Sequence, residues 1–400
     1  MIPEFRAVPP SPAQLAADVG APHTVFLSAD RDLLALATSA AGIGVDLNGD
    51  PAKVVASAAE LDRLSSVLET MDGSLAGRIR RYLHPVSSWK LRTRELALDR
   101  PTIMGILNLT SDSFSGDGVG ADLGAAVARA AALRAAAAEI IDVGAESARA
   151  DRPVLEEGAE TELVGRAVRA LVAEGHLVSC DSYKPAVARA ALEAGAEIIN
   201  DISGMTLGSA TAAEALRAGA GYVLNYSYSV PKQRPESPPK YDDVVSETVA
   251  WMERRADELL ALGFAREAVA IDPGIAFGKS HGEDIAVLQR LGELRSAGLP
   301  ILLAHSRKHF IGSIGGRAPA ERDLETHVLS ALAFAQGARI FRVHDPAGAS
   351  RALRAAAALA GQPLTEFTPD AASWPWRAGA SAAHMSGATS DKAPPPGQRW

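Results

Sequence analysis

Residues Pro101 to Gly120 read PTIMGILNLTSDSFSGDGVG, and this stretch changes character halfway along. Thr102 to Leu107 form an apolar run of the aliphatic and β-branched type found in strands buried on both faces of a parallel sheet. From Asn108 onward the chain is polar and rich in glycine and hydroxyl groups. We therefore predict a buried strand that ends in a ligand-binding loop. A single loop of this kind is also typical of an ordinary turn with helix caps, so the prediction depends on whether the pattern recurs.

The pattern does recur along the following sequence. Short apolar runs alternate with helical stretches rich in Ala, Leu and Arg as far as about Gly361. The predicted strands are Thr102–Leu107, Ile140–Val143, Leu177–Cys180, Ile198–Asn200, Tyr222–Leu224, Val269–Ile271, Ile301–Leu303 and Ile340–Val343. Eight strand–helix units in about 260 residues are typical of a (β/α)8 barrel, the TIM barrel of the α/β class. A doubly wound open sheet is the alternative, but it would carry a GxGxxG fingerprint after its first strand, and that motif is absent.

The predicted barrel spans residues 96–362, and a further segment lies on each side of it. Residues 1–95 predict a small accessory α/β domain, because two short apolar runs are each followed by leucines at helical spacing. The two candidate strands are Thr24–Ser28 and Val54–Ser57. We expect the basic stretch Arg78–Arg100 to connect the two domains along the barrel surface. Residues 363–400 are rich in Ala, Gly, Ser and Pro without a hydrophobic period, which predicts a largely disordered tail.

The bulk composition narrows the class of ligand. Forty basic and 48 acidic residues give a net charge of −8, so the chain lacks the electrostatic footprint of a protein that binds nucleic acid or an anionic membrane. Met1–Gln14 has no signal-peptide pattern and no apolar run reaches the length of a membrane span, so we expect a cytoplasmic protein that binds small molecules. The single cysteine, Cys180, excludes a disulfide framework within the chain, and its apolar neighbours indicate a packing residue.

Polar or ionisable side chains follow almost every predicted strand. The carboxyl ends of all eight strands meet at one face of a parallel barrel, so these side chains are expected to form one site. They are Asn108; Asp142 with Glu146 and Arg149; Asp181; Asn200 with Asp201; Asn225; Asp272; His305 with Ser306 to Lys308; and Arg342 with His344. Two of only eight lysines, Lys279 and Lys308, fall in the exit loops of the sixth and seventh strands. A compact ammonium group there indicates a hydrogen bond to a ligand carbonyl or ring nitrogen.

Several stretches resemble the signature segments of dihydropteroate synthases in order and in spacing. These are MGILNLTSDSF, YKPAVARAALEAGAEIINDISG, IDPGIAFGKS and SRKHFIG, with RVHD closing the series, and the resemblance covers roughly residues 97–360. It implies a transferase that joins the methylene of a reduced pterin diphosphate to an arylamine such as p-aminobenzoate. The implied pterin contacts are Asp181, Asn200, Asp272 and Lys308. A carboxylate such as Asp272 suits the N–H donors of an aminopterin, and a cation such as Lys308 suits its O4 and N5.

The resemblance also implies a diphosphate site, a magnesium ion and a homodimer. The implied diphosphate ligands are Asn108, Arg149, Arg342 and His344. Arg342 and His344 precede a predicted helix that begins near Asp345, a common phosphate position in such barrels. Asn108 would hold Mg²⁺ through its side-chain oxygen, with the diphosphate completing an oxygen shell. The implied catalytic set is Asn108, Asp181, Asp272 and Lys308.

The sequence departs from the family pattern in the exit loops. GAESARAD stands where the family has a run like GGESTRPG, so Ala148 lacks a hydroxyl and Ala150 replaces a proline. Asn225 and Tyr226 replace a His-Met pair. The residues expected near the second substrate are Ser111, which replaces a proline, and Ala148, Arg149, Tyr226 and Ser306. We expect residues 144–152 and 225–240 to determine the second substrate, with Tyr226 and Tyr228 either stacking on it or anchoring the loop by packing.

The sequence leaves more than one activity open. The first is that of dihydropteroate synthase itself, which the retained Arg342 and His344 favour. The second is a reduced-folate-dependent transferase of specialised metabolism, which passes a methylene or methyl unit to a substrate other than aminobenzoate. The altered loops favour this second reading. A catalytically silent pterin-binding paralogue is the third possibility.

Overall fold

The computed structural model describes residues 5–8, 23–27, 29–48, 52–110, 118–146, 154–233, 237 and 239–361. Its first part is a four-stranded antiparallel sheet in the order β1-β2-β4-β3. These strands are β1 Phe5–Val8, β2 His23–Leu27, β3 Val45–Asp46 and β4 Ala52–Ala56, and the helices are α1 Arg31–Ala41, α2 Ala58–Leu68 and α3 Gly73–Leu83. The predicted strands at 24–28 and 54–57 correspond to β2 and β4. Strands β1 and β3 are additions to the predicted pair.

The N-terminal sheet and its helices have an apolar core of their own. Leucines at helical spacing on α2, Leu61, Leu64 and Leu68, pack in one cluster with Val25 of β2 and Tyr82 of α3. Helix α2 begins at a capping box, in which Ser57 and Glu60 satisfy each other's backbone N–H groups. This region is therefore a compact α/β unit, as its leucine pattern indicated.

The second part is the predicted (β/α)8 barrel, which the structure confirms. After the hairpin strands β5 Ser88–Lys90 and β6 Glu95–Ala97, the barrel strands are β7 Thr102–Asn108, β8 Ile140–Gly144, β9 Leu177–Asp181, β10 Ile198–Asp201, β11 Gly221–Asn225, β12 Val269–Asp272, β13 Ile301–Leu303 and β14 Ala338–Val343. They close in sequence order, and β14 pairs in parallel with β7. Each predicted strand differs from the observed one by at most two residues at an end. Asn108, Asp181 and Asp272 are consequently the last residues of their strands.

Helices surround the barrel and cover its outer face. They are α4 Leu123–Ala135, α5 Glu157–Ala173, α6 Pro185–Glu193, α7 Ala210–Ala218, α8 Val244–Leu262, α9 His281–Gln289, α10 His309–Gly315, α11 Asp323–Ala335 and α12 Pro346–Leu359. Within the described residues, no helix combines the length and the apolar character needed to cross a membrane.

One residue from every barrel strand contributes to a single apolar layer inside the barrel. The layer consists of Met104, Ile140, Leu177, Ile198, Val223, Ala270, Leu302 and Ile340, all buried. Side chains of a strand alternate between its two faces, so the residues two and four positions further along each strand also face the interior. The layer is therefore the floor beneath whatever stands at the carboxyl ends of the strands.

The β5–β6 hairpin closes the barrel below this floor. Trp89 of the hairpin is fully buried in the same apolar cluster as the floor residues, and its indole Nε1 donates to the carbonyl of Ala268 at 3.2 Å. The start of β11 lies against the hairpin, because a Cβ on Gly221 would stand 2.6 Å from a methyl group of Leu91. The expectation that Arg78–Arg100 runs along the barrel surface is thus wrong for Trp89 and Leu91 of the hairpin, which are buried against the end of the barrel.

We expect Trp89 to be a principal source of stability. Trp89→Ala would leave a large cavity below the floor and should lower the free energy of unfolding by about 3–5 kcal/mol. Trp89→Phe keeps most of the packing and loses one hydrogen bond, so it should cost clearly less. Urea denaturation of both variants measures this difference, with Val55→Ala on the exposed face of β4 as the control. Equal stability of the Ala and Phe variants would contradict the role of Trp89 as a plug.

Candidate active site

The alternation of the strands places polar side chains directly above the apolar floor. Two positions beyond the floor residues of their strands stand Asp142, Asn200, Asn225, Asp272 and Arg342, and four positions beyond stand Asn108, Asp181 and His344. Most of the residues predicted from the strand ends therefore share the interior of the barrel mouth. Because this region is closed from below, its charges are shielded from water and interact strongly with one another.

Arg342 joins two strands through two buried carboxylates. Its Nε donates to Oδ2 of Asp142 and its Nη2 to Oδ2 of Asp181, both at 2.6 Å. Asn200 also donates to Oδ2 of Asp142, at 3.2 Å. Burial raises the pKa of Asp181 to about 7, while Arg342 acts in the opposite direction. Burial alone would lower the pKa of Arg342, but Asp142 and Asp181 raise it, so this guanidinium stays charged.

Asp142 was not among the residues that the family resemblance assigned to the pterin. Its side chain is fully buried, and its Oδ1 has no hydrogen-bond partner within the described residues. A buried carboxylate oxygen without a partner is costly, so Oδ1 is suited to accept a hydrogen bond from a ligand. The position of Asp142 two residues beyond the floor residue Ile140 is the sequence signal that identifies it.

Asp272 and Lys308 stand at the exits of neighbouring strands, and each also bonds the backbone of the β12 exit segment, residues 273–279. Asp272 Oδ1 accepts the N–H of Gly274 at 2.8 Å, and Lys308 Nζ donates to the carbonyl of Ile275 at 2.6 Å. Burial raises the pKa of Asp272 against the opposing effect of Lys308. Burial also lowers the pKa of Lys308, and Asp272 opposes that shift. A ligand that offers donors to Asp272 and an acceptor to Lys308 would favour the charged form of both.

Ser306, His344 and Asn108 lie around the rim of the same mouth. The hydroxyl of Ser306 lies 2.9 Å from Nδ1 of His344 and accepts the backbone N–H of His344 at 3.3 Å. Asn108 ends β7, and its carbonyl accepts the N–H of Val119 at 3.0 Å. The predicted contacts Ser111, Ala148 and Arg149 lie outside the described residues.

Tyr226 does not have the exposure of a substrate-stacking ring. It is only 3% exposed, its ring centroid lies 4.9 Å from that of Trp251, and the ammonium of Lys279 lies 3.5 Å above it. Of the two roles considered for Tyr226, the structure therefore favours anchoring by packing. Lys279 also donates to the carbonyls of Pro273 and Gly274. Lys279 and Lys308, the two lysines predicted from the sequence, thus both donate to backbone carbonyls of the β12 exit segment, to which Lys279 itself belongs.

A buried ionic cluster lies beside the mouth, and of its members the sequence had indicated only Glu146. Lys184 donates to Glu160 Oε2 at 2.6 Å, to Glu146 Oε2 at 2.9 Å and to the carbonyl of Leu155 at 2.8 Å. Glu146 also accepts the N–H of Leu155 at 2.7 Å and the hydroxyl of Tyr183 at 2.8 Å. Burial would lower the pKa of Lys184, but Glu160 and Glu146 together raise it. These partners lie far apart in the sequence, so no local pattern indicated the cluster.

The arrangement as a whole is suited to a flat, polar molecule. Three carboxylates (Asp142, Asp181 and Asp272) oppose two cations (Arg342 and Lys308) in one closed space. The surplus of acceptors is suited to a neutral heterocycle that presents several N–H donors on one edge and an acceptor on another. Within the described residues there is no group of three His, Cys, Asp or Glu side chains that would hold a metal ion by itself.

Comparison with known proteins agrees with this reading of the site. The family model described as pterin binding enzyme matches residues 104–344, which include nearly all of the barrel. The dihydropteroate synthase of Mycobacterium leprae is 38% identical over 258 residues, 63% of this chain and 91% of that protein. The enzyme of Escherichia coli K12 is 36% identical over 260 residues, 65% of this chain and 92% of its own length. The barrel therefore belongs to the class of pterin-binding enzymes.

Solved structures agree with these relatives. Dihydropteroate synthase from Thermus thermophilus in complex with 4-aminobenzoate has a TM-score of 0.61 and 35% identity, and the match covers 68% of this chain and 99% of that one. The Yersinia pestis enzyme with a sulfonamide drug has a TM-score of 0.64 and 32% identity, over 68% and 98% of the two chains. The chain belongs to the dihydropteroate synthase family, and it is a transferase of that type.

We expect Lys184 to be indispensable to the ionic cluster. Lys184→Met would leave Glu160 buried without its cation and Glu146 with only Lys232, whose Nζ lies 3.9 Å away, and should lower the free energy of unfolding by about 3–5 kcal/mol. Arg189→Met is the matched control, because it removes an exposed cation from Glu214 and should cost at most about 1 kcal/mol. Urea denaturation at neutral pH compares the two. Equal losses would show that the cluster contributes no more than a surface ion pair.

Proposed function

We propose that this enzyme joins a reduced pterin, delivered as its diphosphate ester, to an arylamine such as p-aminobenzoate. The observation that carries the proposal is the set of buried acceptors above the barrel floor, in which Asp142 Oδ1 has no partner among the described residues. The relatives are dihydropteroate synthases, and the similar structure from Thermus thermophilus was solved in complex with 4-aminobenzoate. Most positions that differ from the family pattern lie in loops beyond these acceptors in the chain, whereas Asn225 is the last residue of β11.

The proposed pterin site follows from the hydrogen-bonding pattern of the ring. An aminopterin presents its 2-amino group and ring N–H on one edge and O4 and N5 on the other. Asp272 accepts from the first edge, Lys308 donates to the second, and Asn200 and Asp181 complete the contacts. Asp142 joins them as a further acceptor. In the contacts from Asp272, Lys308 and the other charged side chains, one partner is charged. Such hydrogen bonds are stronger than those between two neutral groups.

The proposed diphosphate site lies at the rim, where cations and N–H donors face the leaving group. Arg342 keeps one nitrogen, Nη1, outside its bonds to the two aspartates, and His344 with Ser306 stands beside the start of α12. Arg149 is an additional proposed ligand. Asn108 would hold Mg²⁺ through its side-chain oxygen, and the ion would neutralise charge on the leaving group.

The proposed reaction is a substitution at the methylene carbon attached to the pterin. The arylamine nitrogen forms a C–N bond to this carbon, the C–O bond to the diphosphate breaks, and the nitrogen loses one proton to solvent. Diphosphate leaves with the electron pair of the broken bond. The protein holds both substrates in line and stabilises the charge that develops on the leaving oxygen.

Asp272→Asn tests the proposed pterin site. The change keeps the size of the side chain but removes the charge, so pterin affinity should fall by about one to two decades and formation of dihydropteroate should fall with it. Calorimetry with the reduced pterin and a product assay with p-aminobenzoate measure the two effects. Asp257→Asn, on the exposed side of α8, is the control. Unchanged pterin affinity in Asp272→Asn would refute this placement of the ring.

A pair of melting curves separates this function from folate-dependent one-carbon transfer. Mg²⁺ with pyrophosphate should raise the melting temperature if the ligand is a diphosphate ester. Stabilisation by a reduced folate, with no effect of pyrophosphate and no product from p-aminobenzoate, would instead support the one-carbon transferase. Pterin binding without turnover of either kind would identify a silent paralogue.

We propose that the enzyme acts as a homodimer through α11. Leu324, Val328 and Leu332 are 72%, 51% and 58% exposed and recur every four residues, so they form one apolar stripe on this helix. In a dimer with two-fold symmetry, this stripe would pack against the same stripe of the second copy, and both would be buried.

The cytoplasmic location and the accessory role of residues 1–95 remain predictions. We now propose to end the accessory domain before the β5–β6 hairpin, since Trp89 and Leu91 of the hairpin pack in the apolar cluster of the barrel.

The double variant Val328→Lys, Leu332→Lys tests the proposed interface. Two charges on each copy would face each other across the two-fold axis, so the dimer should dissociate while the fold remains. Sedimentation velocity measures the mass, and circular dichroism checks the fold. Leu36→Lys, an exposed leucine on α1, serves as the control and should stay dimeric. A wild-type monomer, or a double variant that is still dimeric, would contradict this interface.

A further inference from the structure

One ammonium group ties the exits of two barrel strands together. Lys279 lies 3.5 Å above the centroid of the Tyr226 ring, which follows β11, and donates to the carbonyls of Pro273 at 3.0 Å and Gly274 at 3.3 Å, which follow β12. Tyr226 is buried, so this contact between cation and ring is desolvated, the condition in which such contacts are strongest. Burial lowers the pKa of Lys279 to about 7, with Asp284 opposing, so the ammonium is the main form in mildly acidic buffer.

The backbones of the two exits are packed as closely as their side chains. Gly274 has a φ of +64°, and a Cβ there would collide with the carbonyl of Tyr226. Gly278 has a φ of +76°, and a Cβ there would stand 2.6 Å from Cβ of Tyr228. The hydroxyl of Tyr241 lies 3.0 Å from that of Tyr226 and donates to the carbonyl of Gly278 at 3.1 Å. The ring of Tyr226 is therefore linked to the β12 exit segment through Lys279 and, by its hydroxyl, through Tyr241.

The β12 exit segment also forms one wall of the active site. The half-buried ring of Phe277 lies 5.0 Å from Nζ of Lys308, and the carbonyl of Ile275 accepts a hydrogen bond from the same ammonium. The backbone of Asp272, in contrast, is held in the barrel by its pairing with Asn225, although its Oδ1 accepts the N–H of Gly274 from the segment. A shift of the segment would thus act mainly on the wall beside Lys308 and would leave the floor in place.

We propose that Tyr226 and Lys279 act together as positioning residues that hold the β12 exit segment and thereby set the affinity for the arylamine. The inference rests on the proposed function. Neither residue touches the reacting atoms: the ring of Tyr226 is covered by Lys279 and Trp251, and the ammonium of Lys279 is engaged by carbonyls and the ring. The substitution of Tyr226 for the methionine of the family pattern is what introduces this contact.

Four variants test whether the contact between the Lys279 ammonium and the Tyr226 ring is required. Tyr226→Leu and Lys279→Met remove the ring or the cation, whereas Tyr226→Phe and Lys279→Arg retain them. Arg295→Met is the matched control, since it removes a cation that lies 4.9 Å from the ring of Tyr82, in the N-terminal unit. Steady-state kinetics at about pH 6, where Lys279 is charged, gives kcat and the arylamine KM at saturating pterin diphosphate. Calorimetry gives the pterin Kd, and hydrogen exchange follows residues 273–279.

We expect Tyr226→Leu and Lys279→Met to raise the arylamine KM by about threefold to thirtyfold, the range that a desolvated contact between cation and ring covers. Hydrogen exchange in the β12 exit segment should be faster in both, and the pterin Kd should change by a smaller factor than the arylamine KM. The double variant should be no worse than either single one, because one contact is lost in each case. Tyr226→Phe, Lys279→Arg and Arg295→Met should have the wild-type KM.

Three outcomes would contradict the inference, and the measurements distinguish them. If the wild-type enzyme forms product but the arylamine KM is the same in Tyr226→Leu and Lys279→Met, the inference is wrong and the proposed function stands. If these variants weaken pterin binding and leave the arylamine KM unchanged, Tyr226 belongs to the pterin site and the inference is again wrong. If the wild-type enzyme forms no product from any arylamine, the proposed function fails and the inference fails with it.

Discussion

The guanidinium group of Arg342 is held between two buried carboxylates, and the interior of the barrel depends on this arrangement. Its partners Asp142 and Asp181 belong to β8 and β9, while Arg342 belongs to β14, so three strands share one ionic centre. A buried carboxylate without a cation carries a large desolvation penalty, and two of them side by side also repel each other. Such a centre forms only after the barrel has closed, because Asp142 and Arg342 lie 200 residues apart in the chain.

The ionic centre includes a hydrogen-bond acceptor that no described residue uses, and this acceptor explains why a ligand would bind there. Asp142 uses Oδ2 for both Arg342 and Asn200 and leaves Oδ1 without a partner among the described residues. Burial opposes the charged forms of Asp272 and Lys308 at the same time. In a closed, low-dielectric space a rigid heterocycle relieves these costs well, because it brings its donors and acceptors in fixed geometry.

The barrel and most of the strand-end residues were predictable from the sequence because both depend on short-range patterns. An apolar run followed by a polar residue identifies a strand and its exit, and alternation then tells which residues face inward. Strands β1 and β3 and the hairpin strands are only two to four residues long, too short to show any pattern. Trp89 and Lys184 escaped for a different reason: their importance lies in partners that are distant in sequence, Ala268 for Trp89 and Glu146 for Lys184.

The division between floor, strand ends and exit segments also explains where this chain has changed. A substitution among the floor residues or at Asp142 would disturb packing or leave a buried charge without its partner, so those positions are constrained by stability as well as by ligand binding. The exits of β11 and β12 are constrained mainly by each other. Tyr226 was accommodated there because Lys279 and Trp251 pack against its ring and Tyr241 approaches its hydroxyl. A single substitution in such a segment alters the wall of the pocket and leaves the barrel beneath it intact.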